Sequence, residues 1–236
     1  MASPSVEDYI KAIYKAHAEN GNVATQDLTE RLGVSAPAVS KMMRRLSELR
    51  LISRTPYQGV KLTRSGEKLA LEIIRHHRLI ELYLVQAMGF SWDSVHEEAE
   101  RLEHHISEDF EDRIDQLLGH PTACPHGDPI PTRAGTIART SNVTLAQQIA
   151  RQSAPAQLVV RRVRDEDAEL LRHLETLGIT PGTAIEFVSQ EPFEGPLVLN
   201  IGGKLVRLTP HAARQVFVDA AENEKRNEAE QKESGT

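Results

Sequence analysis

Several features that mark other protein classes are missing from this sequence of 236 residues. Its one cysteine, Cys124, excludes an internal disulfide framework, and no apolar run approaches the roughly 18 residues that cross a bilayer. The stretch MASPSVEDYIKAIYKAHAEN has no basic segment followed by an apolar block, so no secretory signal is visible. These absences predict a cytoplasmic protein that has no membrane partner.

Positive charge is scarce overall but not locally. The net charge is −6, which by itself argues against nucleic-acid binding. Residues 36–68 nevertheless contain eight Lys and Arg against two acids, whereas residues 93–116 contain ten acids against two arginines. This asymmetry predicts that the basic and the acidic segment have different partners.

The first seventy residues have the element order of a winged helix-turn-helix. Helical patterns in SVEDYIKAIYKAHAE, TQDLTERL and APAVSKMMRRLSELR precede two short β-rich runs around PYQG. We expect Ser5 to cap the first helix, with Asp8 as its acidic partner, and GVS to form the turn before the third helix. The positions expected to face inward on the third helix are Val39, Met42, Met43, Leu46 and Leu49.

In a helix-turn-helix, the second helix presents its N-terminal residues to the major groove. Small side chains there allow close approach to the bases, and basic side chains contact phosphates or guanine edges. The alternative is a protein-binding winged domain with a solvated basic face. The residues predicted to contact double-stranded DNA are Ser35, Ala36, Pro37, Ser40, Lys41, Arg44, Arg45, Arg54 and Lys61.

The rest of the chain divides into a helical and a β-rich part. Residues 65–118 have helical patterns, HPTACPHGDPIPTRAG is broken by proline and glycine, and strand patterns around one helix begin at residue 157. The predicted fold is therefore mainly α, with a small C-terminal β-barrel domain. The predicted divisions are a DNA-binding domain at 1–70, a helical domain at 71–140, a linker at 141–156, the β domain at 157–220 and a disordered tail at 221–236.

The stretch VHEEAERLEHHISED, residues 95–109, combines metal-competent side chains with a helical pattern. On one continuous helix, His96, Glu100, Glu103 and His104 would share a stripe that borders the apolar face. A solvated charge run would lie opposite that face instead. The preceding helical pattern, RHHRLIE, adds His77 and Glu81, which are one helical turn apart. The candidate metal ligands are then His77, Glu81, His96, Glu100, Glu103 and His104.

A metal-dependent hydrolase is one function that such residues could serve. HEEAE has Glu100 where a zinc-protease helix needs its second histidine, and ERLEH begins with glutamate where the reversed motif needs histidine. No open coordination position or general base can be identified, so we do not predict an enzyme. A metal-storing protein without a DNA role, or a charged helix with a purely structural role, would also account for this composition.

Taken together, the basic winged helix, HHRLIE, HEEAERLEHH, CPHGDPIP and the β domain resemble the diphtheria toxin repressor family of metal-dependent transcriptional repressors, in its manganese-sensing three-domain form. The resemblance extends to about residue 219, and the β domain is similar to the SH3-like domain of ferrous-iron transport accessory proteins. It implies a homodimer, joined through the helical domain, that binds palindromic operators when loaded with divalent metal and controls metal-homeostasis genes. It implies no small organic substrate.

The resemblance also implies a primary metal site made of Asp8, Glu100, Glu103 and His104. Because Asp8 lies on the first helix of the DNA-binding domain, metal there would tie that domain to the dimerisation domain. Iron-sensing members have Met and Cys where this chain has Asp8 and Glu100, and carboxylates suit Mn²⁺. The implied activator is therefore Mn²⁺, with Fe²⁺ as a possible substitute or, alternatively, as the activator itself.

For a second site the resemblance implies two alternatives. One branch of the family uses His77, Glu81 and His96. Manganese-sensing three-domain members instead join Glu81 to the cysteine and histidine of CPHG and to an acid of the third domain. Here these residues are Cys124, His126 and Asp165. Two-domain manganese-sensing members have glutamate where this chain has Lys11, which disfavours their two-ion cluster.

Overall fold

The computed structural model describes residues 3–21, 23–55, 59–151 and 157–220, and it does not describe the side chains of Asn20, Arg54 and Thr55. These residues form two compact units. The first contains the described residues up to Ile80 with Ala99–Thr122 and Ile130–Ala138, and the second contains Glu81–Glu98, Ala123–Pro129 and the described residues from Arg139 onward.

The first unit begins with three helices and a hairpin. Gly33 has a positive φ of 62° between the second and third helices, which gives the tight break that a helix-turn-helix requires. The elements are α1 (Pro4–Asn20), α2 (Thr25–Leu32), α3 (Ala36–Glu48), β1 (Ile52–Thr55) and β2 (Gly59–Leu62). The two strands are antiparallel and pair Ile52 with Leu62. The prediction of a winged helix-turn-helix is confirmed.

One apolar cluster holds these elements together. Ile10 and Ile13 of α1, Leu28 of α2, and Met43 and Leu46 of α3 are almost fully buried in it. Each such side chain contributes about 1.5–3 kcal/mol when it leaves water. The cluster therefore fixes which faces of α1 and α3 remain at the surface.

Three further helices follow, α4 (Arg64–Met88), α5 (Val95–Leu102) and α6 (Glu108–Leu117). The acidic segment lies on α5 and α6 and in the turns beside them. Ser107 accepts a hydrogen bond from the backbone of Phe110 and so caps α6. Helices α4 and α5 each contribute residues to both units. Within the described residues, no helix has the length and apolarity that crossing a membrane requires.

The second unit is built on an antiparallel five-stranded sheet. Its elements are α7 (Leu145–Arg151), β3 (Gln157–Val163), α8 (Ala168–Thr176), β4 (Ala184–Gln190), β5 (Leu197–Ile201), β6 (Lys204–Leu208), α9 (Pro210–Ala213) and β7 (Val216–Ala220). The strand order in the sheet is β6-β5-β4-β3-β7. Alternate strand residues such as Leu158 and Val160 enter a second apolar cluster. The predicted mainly α fold with a small β domain is confirmed.

Three local expectations differ from the structure. Helix α1 begins at Pro4 with Ser3 at its N-cap and no side-chain cap, so Ser5 does not cap it and Asp8 lies inside the helix. Leu49 follows the end of α3 and is 41% exposed rather than inward-facing. Part of the predicted linker is helix α7, whose Leu145 and Ile149 join the core of the second unit.

Three segments that carry a prediction from the sequence lie outside the described residues. They are the hairpin tip at 56–58, the last five positions of the predicted linker at 152–156 and the predicted tail at 221–236.

Candidate metal centres

The metal-competent stretch at residues 95–109 does not form one helix. Helix α5 ends at Leu102, residues 103–105 form a turn, and α6 begins at Glu108. Glu103 and His104 therefore lie in the turn and not on the helical stripe that the sequence pattern predicted. Their side chains are held by tertiary contacts.

The first centre is formed where this turn meets α1. Nε2 of His104 lies 2.8 Å from Oδ1 of Asp8 and 3.5 Å from Oε1 of Glu103. One ligand atom from each of these three residues lies within 4.8 Å of the others, which is the spacing of groups that can hold one metal ion. Burial raises the pKa of Asp8, an effect that the neighbouring His104 and Lys11 only partly offset.

Glu7 sets the orientation of the His104 ring. Its Oε2 lies 2.7 Å from Nδ1 of His104, and because a carboxylate can only accept, Nδ1 donates this hydrogen bond. Nε2 is thereby directed toward Asp8 and Glu103. A carboxylate behind a histidine that faces metal is the usual arrangement in metal sites, and it also raises the basicity of the ligand.

In a second group of carboxylates in the first unit, a lysine ammonium lies between the carboxylate oxygens. Nζ of Lys11 lies 2.6 Å from Oε1 of Glu100 and 2.6 Å from Oε1 of Glu103. His77 faces the same pair, with Nδ1 2.6 Å from Oε2 of Glu103 and 3.7 Å from Oε1 of Glu100. Burial alone would raise the pKa of Glu100, but the charges of Lys11 and His77 outweigh it and lower that pKa.

A buried network supports the backbone of Glu103. His76 donates from Nδ1 to the Glu103 carbonyl over 3.2 Å and from Nε2 to Oε2 of Glu111 over 3.0 Å. Burial would lower the pKa of His76, but the adjacent Glu111 raises it, and donation from both nitrogens requires the imidazolium. Arg75 contacts Glu111 from the other side and donates to the Pro131 carbonyl over 2.9 Å.

The second centre lies entirely in the second unit, around Glu81. Ligand atoms of Glu81, Cys124 and His126 lie within 4.8 Å of one another, and all three residues are buried. Nε2 of His126 donates to the Trp92 carbonyl over 2.7 Å, which leaves Nδ1 as the nitrogen that faces Oε1 of Glu81, 3.6 Å away. Burial would lower the pKa of His126, but Glu81 raises it.

His96 and Asp165 complete the surroundings of Glu81. Nδ1 of His96 lies 3.2 Å from Oε1 of Glu81 and 3.6 Å from Oδ2 of Asp165. The structure thus brings together the carboxylate, thiol, imidazole and third-domain acid that the family resemblance implied for three-domain members. It also places His96 beside them.

The CPHG loop is fixed by backbone contacts to the sheet. The amide of Val163 donates to the carbonyl of His126 over 2.9 Å, and that of Gly127 donates to the carbonyl of Cys124 over 3.0 Å. Gly127 has a φ of 86°, and a Cβ atom there would lie 2.0 Å from the Arg161 carbonyl oxygen. Only glycine permits this approach, so the loop geometry that aims Cys124 and His126 depends on it.

Both donor sets fit a divalent ion. The first centre supplies carboxylate oxygens and an imidazole, which suit harder ions, and the second adds a thiol, which binds softer ions more tightly. In each centre one histidine nitrogen is engaged by a protein acceptor while the other faces carboxylate. This arrangement fixes the ring and directs its other nitrogen toward the carboxylates with which it would hold an ion.

The residues predicted to contact DNA are displayed on the outer side of α3 and on the hairpin. Ser35 caps α3 by accepting from the amide of Ala38, and Lys61 is exposed on β2. The side chain of Arg54 lies outside the described residues. The exposed residues at the start and along the outer face of α3 are Ser35, Ala36, Pro37, Ser40, Lys41, Arg44 and Arg45.

Sequence reasoning missed three residues that shape the first centre. Glu7 and His76 each lie next to a candidate ligand in the chain, a position from which a metal-supporting partner could have been suspected. Glu111 lay within a run of exposed-looking acids, and only tertiary packing identifies it as buried.

Comparison with known proteins assigns these features to one family. Residues 1–60 match the family described as "Iron dependent repressor, N-terminal DNA binding domain", and residues 63–132 match "Iron dependent repressor, metal binding and dimerisation domain". Residues 153–220 match "FeoA domain". The chain therefore contains a DNA-binding domain and a metal-binding and dimerisation domain.

Individual relatives and a solved structure support the same family. The iron-dependent repressor IdeR of Mycobacterium leprae is 31% identical, over 91% of this chain and 96% of that protein. The transcriptional regulator MntR of Escherichia coli O6:H1 is 40% identical over 104 residues, which are 44% of this chain and 66% of that protein. A structure described as a manganese-dependent transcriptional repressor in complex with manganese superimposes with a TM-score of 0.83 at 35% identity, over 91% of this chain and 99% of that one. The chain thus belongs to the diphtheria toxin repressor family of metal-dependent transcriptional repressors, which are DNA-binding regulators and not enzymes.

Proposed function

We propose that this repressor is activated by manganese and that it binds palindromic operator DNA as a homodimer to control genes of metal-ion homeostasis. The observation that carries the choice of metal is the donor set of the first centre. Asp8, Glu103 and His104 converge there, with Glu100 beside them, so every donor is a carboxylate oxygen or an imidazole nitrogen. Such donors suit Mn²⁺, while Fe²⁺, of similar size and charge, is a partial substitute.

The proposed switch lies in the first unit. Asp8 belongs to α1, which packs in the same apolar cluster as the DNA-reading helix α3, whereas Glu103 and His104 belong to the turn after α5. A bound ion adds positive charge between these groups and favours the arrangement in which they stay together. The energy of that contact selects one placement of the reading helix.

The second centre is proposed to hold an ion as well. Glu81, Cys124 and His126, with Asp165 and His96 beside them, would bind it between the CPHG loop and the sheet. This ion is proposed to order the second unit. Its loss should weaken the metal response less than loss of the first centre does.

The proposal includes two partners, a second copy of this chain and operator DNA. A twofold dimer presents two recognition helices to two half-sites, which is why the operator is proposed to be palindromic.

A repressor acts where its DNA lies, so the proposal includes a cytoplasmic location. The proposed divisions are a DNA-binding domain at 1–70, a dimerisation domain at 71–140 and an SH3-like domain from 157 to 220.

The decisive experiment compares two neighbouring histidines. His104→Ala removes a proposed ligand, and His105→Ala changes an exposed residue next to it. Operator fragments selected from genomic DNA under Mn²⁺, Fe²⁺, Zn²⁺ and chelator supply the probe for anisotropy measurements. We expect manganese-dependent binding in wild type and His105→Ala and none in His104→Ala, with dimers in all three by ultracentrifugation. Equal manganese responses in both variants would contradict the proposed switch.

Metal preference has its own test. In the double variant Asp8→Met, Glu100→Cys, sulfur donors replace two carboxylates, which should shift the preference from manganese toward iron. DNA binding is compared under saturating Mn²⁺ and anaerobic Fe²⁺. A wild type that responds only to iron, or a double variant with the wild-type order, would refute the assignment of manganese.

A further inference from the structure

One edge of the sheet in the second unit is covered by a short segment, residues 141–144. Strand β7 is the last strand of the sheet, with β3 on one side, and this segment runs along its other side. The amide of Val218 donates to the carbonyl of Val143 over 3.1 Å, and Oγ of Ser141 donates to the carbonyl of Val218 over 2.9 Å. The segment is thus docked on β7 just after the chain returns to the second unit at Arg139.

One side chain of β3, that of Arg162, reaches this segment. Arg162 pairs with Phe217 across the two strands, and its guanidinium carbon lies 3.5 Å from the centre of the Phe217 ring, which is a cation–π contact. Beyond the ring, Nη2 of Arg162 donates to Oδ1 of Asn142 over 3.1 Å. The buried Phe217 ring therefore supports the guanidinium from one side while Asn142 holds one of its edges.

The same guanidinium faces the loop that presents Cys124 and His126. Nη1 of Arg162 lies 3.6 Å from Oδ1 of Asp128, the residue that follows CPHG, and the two side chains are only 17% and 15% exposed. The carbonyl of Asp128 accepts from the amide of Cys124 over 2.9 Å and so closes the loop. Solvent ions screen a partly buried ion pair less than a surface pair. The placement of Cys124 is thus connected to Arg162 through Asp128.

We propose that Arg162 is a positioning residue of the second centre and that it couples metal binding there to the docking of residues 141–144 on β7. This inference rests on the proposed function, because it assumes that the CPHG loop binds an ion. An ion fixes the loop, the loop fixes Asp128, and Arg162 passes that constraint to Asn142. Such coupling is reciprocal, so the docked segment in turn raises the affinity of the centre for its ion.

The test uses arginine substitutions in the full-length protein. Arg162→Met keeps an apolar chain that packs on Phe217 and removes the guanidinium, whereas Arg162→Lys restores a charge without the planar fork. The matched control is Arg161→Met, at the neighbouring arginine of β3, whose Nε donates to Asp219 of β7 over 2.9 Å. Cadmium is the probe, because the ultraviolet band of its bond to the one cysteine of the chain reports the second centre alone.

We expect Arg162→Met to weaken cadmium binding at the thiolate about tenfold, which is typical of losing a residue that supports metal ligands. Arg162→Lys should recover part of this affinity, because its ammonium can still pair with Asp128. Arg161→Met removes an equal charge from the same strand and should stay within about twofold of wild type, as expected for a partly exposed ion pair.

A substitution at the other end of the connection tests the coupling. Asn142→Ala should weaken cadmium binding about threefold in the wild-type background and add nothing in the Arg162→Met background, because contacts of one network are not additive. Hydrogen exchange of the Val218 amide follows the docking of the segment directly, since its acceptor is Val143. Relative to the amides of β5, which report opening of the whole unit, cadmium should slow this exchange in wild type and Arg161→Met but not in Arg162→Met.

Several outcomes would overturn the inference. Equal cadmium affinities in Arg162→Met and Arg161→Met would exclude the positioning role. Additive effects of Asn142→Ala and Arg162→Met, or equal slowing of Val218 exchange in wild type and Arg162→Met, would exclude the coupling. If Arg162→Met does not fold, Arg162→Lys replaces it in each comparison, and a wild-type affinity in that variant overturns the inference.

The cadmium band of the wild type separates this inference from the proposed function. If wild type gives no cadmium–thiolate band, the second centre itself is misassigned, and the inference fails with it. If wild type gives the band and Arg162→Met binds cadmium with the same affinity, the second centre stands and only the role of Arg162 fails.

Discussion

In the cluster around Glu103, an ammonium lies against the carboxylates, whereas in the cluster around Glu81 the neighbouring groups are the imidazoles of His96 and His126 and the thiol of Cys124. An imidazole and a thiol become metal ligands when they lose a proton, but an ammonium at a buried carboxylate remains a competitor of the ion. The first cluster thus combines candidate ligands with an ammonium, and the second adds a thiol, the type of donor that softer ions prefer.

The supports of the two clusters differ as well. The backbone of Glu103 is held by a network of charged side chains, His76, Glu111 and Arg75. The CPHG loop is held by backbone hydrogen bonds and by a glycine at close approach to the sheet. Side-chain charges make the first support sensitive to acid, whereas steric fit makes the second sensitive to added volume.

The largest effect is expected from Gly127→Ala. The new Cβ would lie 2.0 Å from the Arg161 carbonyl oxygen at a φ of 86°, so the loop must move away from the sheet. We expect a loss of about 3 kcal/mol in the stability of the second unit, typical of strain combined with a steric clash. Binding at the second centre should be lost with it. Denaturant unfolding and metal titration measure both.

The control for that change is Gly178→Ala in the same unit, where φ is 74° but a Cβ would meet nothing within 4 Å. It carries the backbone strain of about 1–2 kcal/mol without the clash. Equal losses of stability and of metal binding in the two variants would mean that the close approach at Gly127 does not hold the second centre.

The next effect is that of Glu111→Gln on the first unit. Breaking one partner of a buried ion pair costs about 3 kcal/mol, less what the amide recovers by hydrogen bonding, so we expect about 2 kcal/mol at pH 7. Burial acts to raise the pKa of Glu111, but His76 and Arg75 outweigh it and hold the pKa below its ordinary value of 4.5. Its contribution is therefore present above pH 4.5 and is lost as the pH falls through the folded-state pKa.

Unfolding in urea with chelator, at pH 7 and at acid pH, tests this. The difference between wild type and Glu111→Gln should shrink on acidification. Glu108→Gln on the same helix changes an exposed carboxylate that contacts Arg133 and should have little effect. A pH-independent gap between wild type and Glu111→Gln would show that the carboxylate charge contributes nothing.

A smaller, selective effect is expected from Cys124→Ser. An alcohol replaces the soft donor of the second centre, so the affinity for Cd²⁺ and Zn²⁺ should fall about tenfold while that for Mn²⁺ falls less. The ultraviolet charge-transfer band of a cadmium–thiolate bond should disappear. Unchanged affinity for Cd²⁺ in Cys124→Ser would mean that the thiol of Cys124, the one cysteine of the chain, is not a ligand of the second centre.

The smallest effect is expected on α3, the helix that is proposed to contact DNA, which lies outside both clusters. Lys41→Ala should weaken operator binding a few-fold and reduce the slope of log affinity against log salt by about 0.9, one phosphate contact. Lys204→Ala changes an exposed lysine of the second unit and serves as the control. If the two slopes remain equal, the proposed docking face of α3 is wrong.

Several features of the molecule were accessible from the sequence. The helix-turn-helix followed from amphipathic periodicity and from Gly33, because these signals are local and each element buries one face. The β domain followed from alternating strand patterns. Helix α7 did not, because only its Leu145 and Ile149 are deeply buried in a polar stretch, and packing on the second unit decides their state.

The end of α5 at Leu102 could not be predicted from the sequence either. A helical wheel treats residues 95–109 as continuous, yet the chain turns after Leu102 because Ser107 caps a new helix and His76 holds the Glu103 carbonyl. Glu103 and His104 still meet Asp8, although by tertiary contact and not along a helical stripe. The metal-competent residue types were thus readable, but the geometry that joins them was not.

The sequence by itself determined the fold class, the family and the types of side chain available to a metal, because periodicity, turn chemistry and motif spacing are local properties of the chain. The family resemblance implied which of those side chains meet, and the tertiary structure alone decided how they meet and which charges neutralise them. Whether Lys11 fills a carboxylate pair, whether Glu7 orients His104 and whether Gly127 fits against the sheet depend on contacts between residues far apart in sequence. Such contacts are fixed by close packing and by the need to pair buried charge, and neither is written in any short stretch of residues.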